Sequence, residues 1–113
     1  MQVTYSIYQI NYERDTLRSK FVGSSSSFSC VTPDKKVQLA LYDKVYEATD
    51  TVECLGGRTQ EVILETLFRR FNVSRPFDFH GHSLSVSDIV VLSGGVNGTY
   101  YCDIFGWTEV EFF

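Results

Sequence analysis

With 113 residues, 43% of them hydrophobic and including nine Phe and seven Tyr, the chain can bury one substantial core but not two, so residues 1–113 are expected to form one domain. A formal net charge of −4 and a pI near 5.0 argue against a phosphate-backbone binder, whose affinity comes from clustered Lys and Arg, so no direct nucleic-acid partner is expected. No stretch approaches the roughly 20 apolar residues that cross a bilayer.

The segment Met1 to Ile10 has neither a basic leader nor a continuous apolar signal core, so a soluble, cytoplasmic protein is expected, with no membrane partner. Cys30, Cys54 and Cys102 are odd in number and lack CxxC spacing, which suits reduced thiols better than a disulfide framework.

Val3, Tyr5 and Ile7 alternate with Thr4, Ser6 and Tyr8, the period of a strand buried on one face. Asn11 to Asp15 reads as a turn, and Leu17 to Val22 as a short returning strand that Gly23 ends. The serine run Ser24 to Ser27 and the turn around Pro33 read as a mobile surface loop. Val37 to Leu41 fits strand and helix spacing equally. Lys44 to Thr49 is expected to be a strand by its β-branched and aromatic content.

Thr59 is placed to cap a helix over about 59–71. Ile63, Leu64, Leu67, Phe68 and Phe71 form its apolar stripe. Glu61 and Glu65 come early and Arg69 and Arg70 late, matching the helix dipole, with Glu65 and Arg69 at ion-pair spacing. Asn72 suits a left-handed C-terminal cap, and Pro76 forbids continuation.

Ile89 to Leu92 is apolar on both faces, as a central strand should be. Asn97-Gly98 is a hairpin signal, Thr99 to Ile104 alternates, and Trp107 to Phe112 would place Thr108, Val110 and Phe112 on one face. These three strands make a C-terminal meander. The expected fold is α+β, a twisted and mostly antiparallel sheet of five or six strands with one main helix on one side.

The loop from Pro76 to Asp88 is rich in His, Ser and Asp. His80 and His82 flank Gly81 as weak zinc candidates, since structural zinc normally takes four ligands. Serine nucleophile chemistry fits poorly, because both His lie within five residues of Ser85 and a positioned base needs more separation. The expected roles are structural: Gly81 permits a turn, His82 hydrogen-bonds a turn carbonyl, and Ser87 and Asp88 start the buried strand through side-chain-to-backbone bonds. No cofactor, metal or catalytic residue is expected.

Several blocks together resemble the YodL-like domain. They are Tyr42 to Glu47, Leu64 to Asn72, Pro76, Gly81 to Asp88 (GHSLSVSD), Tyr100 to Asp103, and Gly106-Trp107. The GHSLSVSD block is the specific part. Trp107 stands where the family usually has Phe, and Cys102 where it usually has another apolar residue.

The resemblance implies a domain of conjugative and other mobile elements in Gram-positive bacteria, often fused to anti-restriction or accessory modules, and it brings no catalytic mechanism. The expectation is a non-enzymatic factor that binds a protein, of the anti-CRISPR or anti-restriction kind, and inhibits a basic host nuclease. Asp78, Asp103, Trp107, Glu109 and Glu111 would supply an acidic and aromatic surface. The alternatives are a module binding a cytoskeletal or envelope protein, and a small metal-dependent enzyme. Phe112 and Phe113 leave monomer or dimer open.

Overall fold

The computed structural model describes residues 1–11, 13–14, 20–26 and 29–113. Its strands are β1 (Gln2–Ile10), β2 (Lys36–Val37), β3 (Tyr42–Thr51), β4 (Ile89–Gly94), β5 (Gly98–Asp103), β6 (Gly106–Glu109) and β7 (Glu111–Phe112). One helix, α1 (Gln60–Val73), crosses from β3 toward β4, and a 3₁₀ turn occupies Leu39–Leu41. Five strands form a sheet in the order β3-β1-β4-β5-β6, all neighbours antiparallel. The fold is therefore α+β.

β4 lies at the middle of the sheet, as its two apolar faces require. The strand expected over 44–49 extends to Tyr42–Thr51. The C-terminal meander is β4-β5-β6, and Asn97 closes its first turn by pairing its side-chain amide with the N–H and C=O of Gly94.

Where the sequence suggested one buried face for β1, both are covered. Val3, Tyr5 and Ile7 pack with Val90, Leu92, Tyr100 and the inner side of α1. Tyr8 and Ile10, on the opposite face, pack with Val37, Tyr42, Ile89, Tyr101 and Val110. What covers this second face is a small arm in which β2 pairs in parallel with β7, Val37 opposite Phe112. The C-terminal segment accordingly divides: β6 stays on β5, and past Val110 the chain leaves to meet β2.

α1 begins at the expected cap, where Thr59 Oγ1 accepts from the Val62 N–H at 3.3 Å. Ile63, Leu64, Leu67 and Phe71 are buried, each worth about 1.5–3 kcal/mol against exposure. Phe68, assigned to the same stripe, lies at its margin and is exposed.

Three local expectations fail. Asn72 is no left-handed cap: it lies inside the helix, its side-chain amide donating to the carbonyls of Phe68 at 2.7 Å and Leu84 at 3.0 Å, and Ser74 ends the helix instead. Glu65 and Arg69 form no ion pair; of the two arginines of α1 it is Arg70 that is paired, to Asp50 at 3.1 Å. Of the strand expected over Leu17 to Val22, residues 17–19 lie outside the described residues. Lys20 and Phe21 form a turn, and Phe21 has φ 66°, a left-handed backbone that no strand accommodates.

Ser27 of the serine run lies outside the described residues. Ser24 is anchored rather than loose, its N–H donating to Asp103 at 3.0 Å and its hydroxyl to the same carboxylate.

Candidate functional site

Two places concentrate polar chemistry, and they differ in access. The first is closed. Asp88, at the entrance to β4, is wholly buried. Its Oδ2 accepts from the Ser85 N–H at 2.8 Å and from Gln9 Nε2 at 3.1 Å. Gln9, from β1, also donates to the His82 carbonyl at 2.8 Å and accepts from the His82 N–H at 3.2 Å. One glutamine thus binds the loop through both its amide groups.

The His82 ring places Nδ1 2.7 Å from the Ser83 carbonyl, which assigns the proton to Nδ1 because a carbonyl only accepts. Its Nε2 then faces Asp88 Oδ1 at 3.7 Å. Burial pushes the Asp88 carboxyl up to about 8, against the hydrogen bonds from Ser85 and Gln9 and the charge of Lys20. Burial also pushes His82 down. Both effects favour a neutral acid facing a neutral imidazole over the ion pair that the distance alone would suggest.

Ser87 precedes Asp88 with φ 83° and no exposure, a strained backbone for a residue with a side chain. Its groups are all engaged. The N–H donates to the Cys102 carbonyl at 2.9 Å. The carbonyl accepts from the Tyr42 hydroxyl at 2.8 Å, and Oγ accepts from the Phe21 N–H at 2.8 Å. Gly81 sits against Gln9 and Phe79, where an added Cβ would lie 2.5 Å from Gln9 Oε1. His80 is exposed and apart from this network. Among the described residues no three His, Cys, Asp or Glu side chains converge to hold a metal ion.

The second place is open. A groove of about 460 Å³ runs between α1 and the β5–β6 hairpin. Its sheet side is Tyr100, Trp107 and Glu109; its helix side is Gln60, Glu61, Leu64 and Glu65. Trp107 stands edge-on to Phe68, ring centroids 6.5 Å apart. Burial, and then the charge of Glu109, hold the Tyr100 hydroxyl above its ordinary value. No Lys or Arg is among the residues lining the groove. Three carboxylates around two aromatic rings make an environment for a cation with an apolar stem.

The five residues proposed for an acidic surface are not brought together. Only Trp107 and Glu109 line the groove. Asp78 lies at the other end of the sheet, accepting from the hydroxyl of Tyr46 on β3. Glu111 lies on β7 opposite Lys36. Asp103 is committed to Ser24, Ile104 and Thr108. Glu61 and Glu65 line the groove as well, and their i, i+4 spacing, which places two like charges on one helix flank, is the signal in the sequence that marks them.

A helix laid on one face of an antiparallel sheet, with an acidic and aromatic groove at the hairpin end, defines a small α+β domain. The chain belongs to the YodL-like domain family, whose model matches residues 4–112. Comparison with curated proteins and with solved structures gives no significant match. No helix among the described residues is long and apolar enough to cross a membrane.

Proposed function

We propose that this chain is a non-enzymatic protein-binding factor that engages a basic partner through the groove between α1 and β6, the preferred target being a host defence nuclease. The observation that carries the reading is the groove itself: Trp107 supplies an aromatic wall over the buried Tyr100, and Glu61, Glu65 and Glu109 supply a single sign of charge. An aromatic anchor beside three carboxylates suits a basic surface, where charge complementarity governs encounter rate and partner choice. The association with mobile elements implied by the family resemblance directs the choice toward anti-CRISPR or anti-restriction activity.

A tagged pull-down from a Gram-positive lysate, read by mass spectrometry, tests it. A defence nuclease should be recovered from the native protein, less of it as salt rises, and little by a Trp107→Ala, Glu109→Gln variant. Recovery of no nuclease or defence protein, or equal recovery by that variant, overturns the proposal.

A further inference from the structure

β6 is an edge strand whose outer side no described strand pairs. The Val110 N–H donates to the Thr99 carbonyl at 2.9 Å, and Tyr101 stands opposite Thr108. With the alternation of an antiparallel ladder, Thr108 and Gly106 turn their main-chain groups inward to β5, so Trp107 and Glu109 turn theirs outward. The side chains of these same two residues line the groove beneath α1. One pair of residues therefore presents open backbone hydrogen-bonding groups to the edge and an aromatic and acidic wall to the groove.

We infer that the partner docks by strand addition: an extended segment pairs with β6 as a further strand of the sheet and lays Lys or Arg side chains from alternate positions into the groove against Glu61, Glu65 and Glu109. This rests on the binding role proposed above and specifies its geometry. Successive same-face residues of a strand are about 6.4–6.8 Å apart. Glu61 and Glu65 are separated by four residues of helix, an axial rise of about 6 Å. The two spacings match closely enough for one carboxylate to meet each alternate cation, the side chains supplying specificity and the backbone bonds supplying affinity.

A second copy of this chain suits the edge poorly, since an antiparallel β6–β6 pairing would bring Glu109 near its own copy in a protein of net charge −4. The opposite edge, β3, carries Asp43, Lys44, Glu47 and Asp50, a mixture of signs of the kind that guards edges against pairing.

The test uses two synthetic peptides of identical composition, one with Lys alternating with Thr and Val, the other with the same Lys residues in one block. The chain has a single tryptophan, Trp107, so its fluorescence reports groove occupancy directly. Hydrogen exchange by NMR reports the edge.

Expected are saturable binding of the alternating peptide, new protection at the amides of Trp107 and Glu109, and about a tenfold loss of affinity in the Glu61→Gln, Glu65→Gln variant, as two weakened exposed ion pairs imply. Methylating the peptide's backbone nitrogens at the edge-facing positions should abolish binding. Equal, salt-sensitive binding of both peptides without new amide protection would overturn strand addition and leave a basic partner standing. Failure of both peptides, together with unchanged nuclease recovery by the Glu61→Gln, Glu65→Gln variant, would overturn the groove as the docking site altogether. Protection of the β6 amides that grows with protein concentration in the absence of peptide would assign the edge to a second copy and overturn the proposal.

Discussion

Nε2 of His82 and Oδ1 of Asp88 face each other at 3.7 Å, closed off from solvent and without any other hydrogen-bond partner. A single proton between them can be held as carboxylic acid and imidazole or as carboxylate and imidazolium, and the total proton count is the same. Burial opposes charge on both groups, so the neutral arrangement is favoured. The other ionisable groups acting on the pair are Lys20, whose charge lowers both, and the buried Tyr42 and Cys102, each of which feels the Asp88 charge.

This pair makes stability depend on pH. The Asp88 carboxyl rises from 3.8 to about 8 on folding. Its protonated form therefore contributes stability that is complete below the unfolded value and is lost as pH rises toward 8. Asparagine in place of Asp88 keeps an oxygen for Ser85 and Gln9 and offers an N–H to His82. The stability of Asp88→Asn relative to the native chain should grow between about pH 4 and 8, by at most about 1.4 kcal/mol for each unit of pH, and level off above. Urea unfolding across that range measures it. Asp88→Ala, leaving Gln9 and the Ser85 N–H unanswered, should destabilise by about 2–4 kcal/mol near pH 4, where the native carboxyl is protonated, and by less as pH rises toward 8. A pH-independent gap for Asp88→Asn would refute the neutral pair.

Gly81 and Gln9 make a second test, through their coupling. An added Cβ at Gly81 would lie 2.5 Å from Gln9 Oε1 and 2.9 Å from Phe79 Cζ. Gly81→Ala should therefore displace the glutamine and cost about 2–3 kcal/mol, the price of leaving its buried partners unsatisfied. Gln9→Ala should cost a similar amount. In a double-mutant cycle the two losses should fall short of additive by about 1 kcal/mol or more, because the clash and the network are the same event. Full additivity by thermal unfolding would separate them.

Gln9 also marks the limit of what the residues disclosed in advance. The strands announced themselves through alternation, and the helix through its stripe and its Thr59 cap, because those signals depend on neighbours in sequence. The loop residues His82, Ser87 and Asp88 were marked by their chemical type. The partner that organises them was not, because Gln9 sits 73 positions from His82 in a strand whose pattern implied one buried face. The groove was hidden for the same reason. Trp107 and Glu109 were visible as candidates, but Glu61 and Glu65 joined them only when α1 was laid across the meander. Asp78 and Glu111 drifted away because sequence proximity does not say which edge of a sheet a loop returns to.

Arg70 pins α1 to the far edge of the sheet. Its Nη1 donates to Asp50 at 3.1 Å and approaches the Tyr5 hydroxyl at 3.4 Å, while Nη2 donates to the Cys54 carbonyl at 3.1 Å. A lysine carries the charge but not the planar fork that spans these acceptors. Arg70→Lys should lose about 1–2 kcal/mol in denaturant unfolding. Asp50→Asn should lose less, since the ion pair is partly exposed and surface pairs contribute little. The reverse order would mean that charge, not geometry, holds the helix.

Asp103 belongs to the architecture of the hairpin tip, and its substitution should show it. Burial alone would raise its carboxyl, but hydrogen bonds from Ser24, Thr108 and Ile104 overcome that and hold it at about 2. A depressed value means that the stabilisation is present above the unfolded value of 3.8 and is lost as pH falls toward 2. Removing the acceptor by Asp103→Ala should free the Ser24 N–H, which the carboxylate holds at 3.0 Å. The global cost should be about 1–2 kcal/mol, modest because the site is partly exposed. Hydrogen exchange at Ser24 and proteolytic nicking between residues 23 and 26 should rise well before the β1 and β4 amides are affected. In the fluorescence titration Asp103→Ala should weaken binding of the alternating Lys peptide less than Glu109→Gln does, since the Asp103 carboxylate is already occupied. A larger binding loss at Asp103 than at Glu109, with Ser24 exchange unchanged, would return Asp103 to the docking surface.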